Sequence, residues 1–140
     1  MKILVVDDEL VSRKKMNLIM NSLGECEAVD CGNDAISAFE KAWENQSPFD
    51  LIALDIFMPE MDGKEVLSKI RQIESDGDVP GDKRVKIFMV TAQSDKDTII
   101  GCVQAGCDDF ISKPFDKSTI IKKLVKTGLL EGPGEFADAG

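Results

Sequence analysis

The 140-residue chain has no histidine, and its four cysteines (Cys26, Cys31, Cys102 and Cys107) form no CxxC pair. Together these absences argue against a zinc site and leave small buried thiols in a reducing compartment as the simpler reading. No apolar stretch approaches the ~20 residues of a membrane span. The opening "MKILVVDDEL" turns acidic after four apolar residues, too few for a signal peptide. A soluble, cytoplasmic protein without membrane contact is expected. There is also no block of like charge: the formal net charge of −9 is spread along the sequence. That disfavours direct nucleic-acid binding and favours a proteinaceous or cationic partner. The length suits one domain.

What is present is an alternation. Short apolar runs, "KILVV" (2–6), "CEAVD" (26–30), "DLIALD" (50–55), "VKIFMV" (85–90) and "DDFIS" (108–112), read as strands. Between them lie stripes of helical period: Met16, Ile19, Met20 and Leu23; Ala35, Ala38, Phe39 and Ala42; Val66, Leu67, Ile70 and Ile73; Ile99, Ile100 and Val103; Ile120, Ile121, Leu124 and Val125. Asp62 with Glu65 reads as a capping box, Ser94 with Asp97 as an acidic variant, and Asn33 and Asp116 as N-caps. The segment 74–84, "ESDGDVPGDKR", reads as a long solvated loop, and 131–140 has neither periodicity nor a core. The pattern is (βα)5. Because each parallel crossover needs a helix and is right-handed, it predicts an α/β, flavodoxin-like, doubly wound parallel sheet of five strands in the order 2-1-3-4-5, with helices on both faces. Strands one and three then become neighbours whose following connections leave toward opposite faces, opening a crevice at their carboxyl ends.

Chemistry gathers at those ends. Strand one ends in Asp7, Asp8 and Glu9, strand three in Asp55, strand four in Thr91 and Ala92, and strand five in Ser112 and Lys113; Asp30 follows strand two, on the far side of strand one. At ~4 Å and an effective dielectric near 20, a pair of carboxylates repels by about 4 kcal/mol, so Asp7, Asp8 and Asp55 call for a cation. Hard oxygen donors with no soft ligand nearby select Mg2+. Alone, Asp7 and Asp8 would read simply as acids favouring the dipole of the first helix. Asp55 on the neighbouring strand tips the reading to a metal site. A carboxylate anionic at neutral pH attacks phosphorus without a general base, so Asp55 is a candidate nucleophile giving an aspartyl phosphate. Mg2+ and Lys113 would offset phosphoryl charge, and Thr91 would donate a hydrogen bond.

"VVDDE" after the first strand, "LDIFMPEMDG" around Asp55, "MVTA" ending in Thr91 and Ala92, and "DDFISKPF" with Phe110 and Lys113-Pro114 together resemble the response-regulator receiver family (CheY-like) of two-component signalling. The resemblance covers residues 2 to about 127. It implies a receiver (response regulatory) domain at 1–127 and a flexible tail or linker at 128–140. It further implies Asp55 as phosphoacceptor; Asp8, Asp55 and the backbone carbonyl of Phe57 as Mg2+ ligands, with Asp7 acting through water; Thr91, Ala92 and Lys113 around the phosphoryl group; and a cis Lys113-Pro114 bond. Thr91 would move toward the phosphoryl oxygens and Phe110 turn into the vacated volume, reshaping the face made by the fourth helix, fifth strand and fifth helix for a downstream protein. A permanently buried ring is the plainer role for Phe110.

Lacking histidine, the chain needs another protein or a small phosphodonor as its phosphoryl source; the resemblance implies a histidine kinase or histidine phosphotransfer protein, which Arg13, Lys14 and Lys15 on the first helix are placed to meet. The expectation is a signalling protein that catalyses only its own phosphorylation and dephosphorylation. It would stand alone as a regulator or phosphorelay intermediate, as a monomer or a phosphorylation-dependent dimer, the alternative being a receiver fragment of a longer regulator. Phe57 and Gln93 hold positions that tune hydrolysis in this family, and bulky Phe57 is expected to screen the phosphoryl group. A haloacid-dehalogenase-type phosphohydrolase would want an aspartate where Phe57 stands. A flavin module would want Ser, Thr and Gly where "DDE" stands, and a phosphate-independent scaffold would show losses among the acids or Lys113.

Overall fold

The computed structural model of the chain describes residues 1–92 and 95–131. Among them, β1 (Lys2–Val6), β2 (Glu25–Val29), β3 (Leu51–Asp55), β4 (Lys86–Thr91) and β5 (Asp109–Ser112) form one parallel sheet in the order β2-β1-β3-β4-β5. The helices are α1 (Leu10–Asn21), α2 (Gly32–Glu44), α3 (Gly63–Asp76), α4 (Lys96–Ala105) and α5 (Lys117–Lys126), with a 3-10 turn at Gly81–Lys83. None is long and apolar enough to cross a membrane. The expected order stands, with strand edges moved by one residue at β2 to β5.

Strand alternation explains the two-sided core. Ile3 and Val5 of β1 join Met16 and Met20 of α1 and Ile120 and Leu124 of α5, whereas Leu4 and Val6 join Phe39 of α2, Leu67 and Ile70 of α3 and Cys102 of α4. Successive side chains of one strand thus serve opposite layers, and all five residues of central β3 are buried. Leu129 and Leu130, expected in the tail, pack against the α1/α5 layer, their N–H groups donating to Leu124 O at 2.9 and 3.2 Å.

Several local readings change. Asp62 caps α3 through Glu65 N–H and Asp116 caps α5 through Thr119 N–H. The N-cap of α2, however, is Cys31, because the helix already starts at Gly32, one residue before Asn33. The cap of α4 is Asp95, accepting from Thr98 N–H, and Ser94 lies outside the described residues. On α4 the buried residue is Cys102, while Ile100 and Val103 of the expected stripe are 42% and 56% exposed. Of the four thiols only Cys102 is fully buried. Segment 74–84 is not a free loop, since α3 continues to Asp76 and Glu74 is 1% exposed. Arg71 donates to Glu74 Oε1 at 2.6 Å, Val85 O at 2.9 Å, Gly106 O at 3.0 Å and Asp108 Oδ2 at 2.9 Å. Val85 N–H donates to Glu74 Oε2 at 2.8 Å. This network locks the sheet end opposite the acids, and Gly106, at φ +103°, supplies the left-handed C-cap that ends α4 there.

Candidate functional site

Parallel register sets the site. Val6 pairs with Leu54 and Asp55 with Val90, so the chain leaving β1 emerges beside the end of β3. One carboxylate oxygen from each of Asp7, Asp8 and Asp55 lies within 4.8 Å of the others. Asp7 and Asp55 are buried and Asp8 is exposed, so the group opens to solvent on one side. Asp7 is held at several points. Its Oδ1 accepts from Glu9 N–H at 2.9 Å and its carbonyl accepts from Arg13 Nη1 at 3.0 Å. Glu9, which the sequence reading left without a role, is the N-cap of α1 and accepts from Val11 and Ser12 N–H.

The chain leaves Asp55 through a close approach. Gly63 N–H donates to Ile56 O at 2.7 Å, and a Cβ on Gly63 would come within 2.2 Å of Asp55 O. Only glycine lets α3 start so near the β3 terminus. Phe57, two residues past Asp55, is 52% exposed and so not bound into the core. From the other side, Lys113 Nζ reaches Asp7 Oδ2 at 3.2 Å and Asp55 Oδ2 at 3.6 Å. Lys113 N–H donates to Thr91 O at 2.9 Å, fixing the end of β5 to that of β4, and the Lys113–Pro114 bond is cis. Thr91 is buried and Ala92 exposed beside this pair. Phe110 is half-buried against the layer of α2, α3 and α4. Gln93 lies outside the described residues.

The electrostatics of the crevice centre on Asp55. Burial, then the charge of Asp7, push the Asp55 carboxyl up to about 7 against the pull of Lys113, with the hydrogen bond that the protonated Asp55 donates to Asp7 and the charge of Asp8 adding to the rise. Burial and the neighbouring acids thus oppose ionisation of Asp55, and positive charge beyond that of Lys113 favours it. An all-oxygen donor set of three acids, open on the Asp8 side, fits a hard divalent cation such as Mg2+. Asp30, Cys31 and Asp34 form a second close group, but Asp30 and Asp34 are exposed and stand beyond β2, apart from the crevice.

Two of the three cations expected to face a partner are engaged within the chain. Arg13 bonds Asp7 O, and Lys15 Nζ donates to Phe115 O at 2.5 Å with its ammonium 4.8 Å from the Phe115 ring centroid.

Comparison with known proteins places this arrangement. A family profile described as "Response regulator receiver domain" matches residues 3–125. The chain is 38% identical over 131 residues to hybrid signal transduction histidine kinase L of Dictyostelium discoideum, covering 91% of this chain and 7% of that protein. It is 36% identical over 126 residues to the chemotaxis protein CheY of Bacillus subtilis, covering 90% and 96% respectively. The solved receiver domain of the histidine kinase CKI1 from Arabidopsis thaliana, complexed with Mg2+ and BeF3−, is 30% identical with a TM-score of 0.76, covering 90% of this chain and 89% of that one.

Proposed function

This chain belongs to the response regulator receiver domain family of two-component signalling, and from that premise we propose that it is a phosphorylation-dependent switch whose phosphoacceptor is Asp55. The observation that carries the proposal is the crevice itself: a buried Asp55 with Asp7 and Asp8 converging on it and Lys113 Nζ 3.6 Å away. A carboxylate oxygen of Asp55 attacks phosphorus while the bond to the donor imidazole nitrogen breaks and its electron pair stays on the ring. Later attack by water releases inorganic phosphate and restores the carboxylate.

Asp8, Asp55 and the Phe57 carbonyl would hold Mg2+, with Asp7 acting through water. When bound, the ion supplies positive charge opposite the transferring phosphoryl group. Lys113 binds a second side of that group, the Thr91 hydroxyl donates a hydrogen bond to a phosphoryl oxygen, and Ala92 leaves room beside the backbone. The Mg2+ in the Arabidopsis receiver complex supports the assignment. Thr91 and half-buried Phe110 then shift together, favouring one conformation of the α4–β5–α5 face, where Ile100 and Val103 already stand exposed for a downstream protein.

The phosphoryl donor is a histidine kinase or phosphotransfer protein, as the kinase-attached receivers among the relatives suggest. The chain works in the cytoplasm as a receiver at 1–127, extended by packed Leu129 and Leu130, and catalyses only its own phosphorylation and dephosphorylation. It stands alone or within a longer regulator, as a monomer or phosphorylation-dependent dimer. Intact mass after incubation with acetyl phosphate tests the core of this. A Mg2+-dependent gain of one phosphoryl group in the wild type, lost in Asp55→Ala, is expected. If the wild type gains nothing from acetyl phosphate or from a panel of phosphorylated histidine kinases, the assignment of Asp55 fails.

A further inference from the structure

Lys15 and Phe115 are 100 positions apart, yet the lysine makes two contacts to that one residue. Its Nζ donates to Phe115 O at 2.5 Å and lies 4.8 Å from the ring centroid. The ring is 6% exposed and belongs to the core layer of α1 and α5, whereas Lys15 is itself exposed and reaches across the surface to it. The Asp116 carboxylate, held low first by hydrogen bonds from Thr119, also feels the Lys15 charge.

Phe115 follows Lys113 by only two residues, and Lys113 is otherwise tied at its backbone N–H to Thr91 O. The Lys113 backbone is thus pinned on one side by β4 and on the other by whatever fixes Phe115. The same helix, α1, also holds Asp7: Glu9 caps it and its N–H donates to Asp7 Oδ1, and Arg13 donates to Asp7 O. Helix α1 therefore spans the two halves of the crevice, Asp7 at its head and the lysine-bearing loop further on.

We infer that Lys15 is a positioning residue for the phosphoryl-transfer reaction, fixing through Phe115 the reach of Lys113 toward the phosphoryl group. The inference rests on the receiver reading above. Lys15 touches no reacting atom, and Asp7 is held by other bonds. Its loss therefore affects binding of a phosphoryl-shaped anion while sparing the metal. A misplacement of about 1 Å can cost ~100-fold in rate, and partial loosening of one loop anchor corresponds to about tenfold.

The test uses the full chain as wild type, Lys15→Met and Lys15→Arg. Three quantities are measured: phosphoryl incorporation from acetyl phosphate at saturating Mg2+, Mg2+ affinity by calorimetry, and affinity for beryllofluoride, a phosphoryl mimic, by fluorine NMR. Lys15→Met is expected to slow incorporation and weaken beryllofluoride binding by about tenfold each while leaving Mg2+ affinity within about twofold. Lys15→Arg, which keeps the donor and the cation over the ring, restores both. Unchanged incorporation in Lys15→Met, a parallel fall in Mg2+ affinity, or failure of Lys15→Arg to rescue overturns the inference. A wild type that takes neither phosphoryl group nor beryllofluoride instead sinks the receiver reading itself.

Discussion

Lys113 Nζ stands 3.2 Å from Asp7 Oδ2 and 3.6 Å from Asp55 Oδ2, so the ammonium of the crevice is shared between two acids and sits nearer the one that is not the proposed nucleophile. Sharing weakens its hold on Asp55, whose carboxyl stays up at about 7 even with the lysine pulling it down. Lys113→Met removes that pull. In the presence of EDTA, carbon-13 NMR of the Asp55 carboxyl is expected to show a midpoint above 7 in the variant. A midpoint unmoved by the substitution means that the lysine is screened from Asp55 despite the short distance.

The same raised carboxyl predicts how stability depends on pH. The folded group keeps its proton up to about 7, whereas the unfolded one releases it near 3.8. Between those values the folded state binds more protons, so stability falls as pH rises through the window, and the whole penalty is present above 7. Asp55→Asn carries no such penalty. With EDTA at pH 8, urea unfolding should find Asp55→Asn more stable than the wild type by on the order of a few kcal/mol. The difference shrinks toward zero below pH 4, where both forms are neutral. A gap that is constant with pH would assign the effect to packing and not to charge. Excess Mg2+ at pH 8 narrows it, by binding the ionised wild type.

Both the fold and the acid crevice were readable in the residues for a shared reason. Ile3 to Val6, Leu51 to Leu54 and Ile87 to Val90 are buried strand runs, and topology alone delivers whatever follows them to one edge of the sheet. Asp7, Asp8, Asp55 and Lys113 needed only their strand assignments to be placed together. What escaped depended on side chains choosing partners across the fold. Arg13 and Lys15, expected to face a partner, bond carbonyls of their own chain because α1 lies against the loop after β5 and over the carbonyl of Asp7. Glu74 opens a segment whose composition favours a loop, yet it follows Leu67 and Ile70 at helical spacing and so extends their buried stripe. That spacing was the available signal, and a carboxylate on such a stripe demands a cation, here Arg71 one turn earlier.

Phe57 is 52% exposed beside a buried Asp55, a costly position for a ring that packing alone would turn inward. Placed two residues past the proposed acceptor, it is expected to shield the phosphoryl group from water once Asp55 is modified. Phe57→Asn replaces that shield with a group able to hold a water molecule. Loss of label from phosphorylated protein freed of donor should run several-fold faster in the variant. Equal rates would leave the ring without a part in phosphoryl lifetime, and its exposure would then point to contact with a partner.

The buried network at the opposite end of the sheet gives a stability prediction that separates charge from packing. Glu74 is 1% exposed, its Oε1 is 2.6 Å from Arg71 Nη1, and its Oε2 accepts from Val85 N–H. Arg71→Met strands that carboxylate without a counter-charge, which costs roughly 3–5 kcal/mol in comparable buried pairs. Asp108 loses less, because Ile87 N–H still donates to it at 2.8 Å and it is partly open to water. Adding Glu74→Gln in the Arg71→Met background removes the charge but keeps an amide oxygen for Val85 N–H. The double variant is therefore expected to recover more than half of the loss in urea unfolding. Glu74→Leu in the same background recovers less, since it leaves Val85 N–H buried without an acceptor, at about 1–3 kcal/mol. Should the Gln double variant be no more stable than Arg71→Met alone, the weight of the network lies in the bonds from Arg71 to Gly106 O and Val85 O, which tie α3 to the end of α4 and the start of β4, and not in the ion pair.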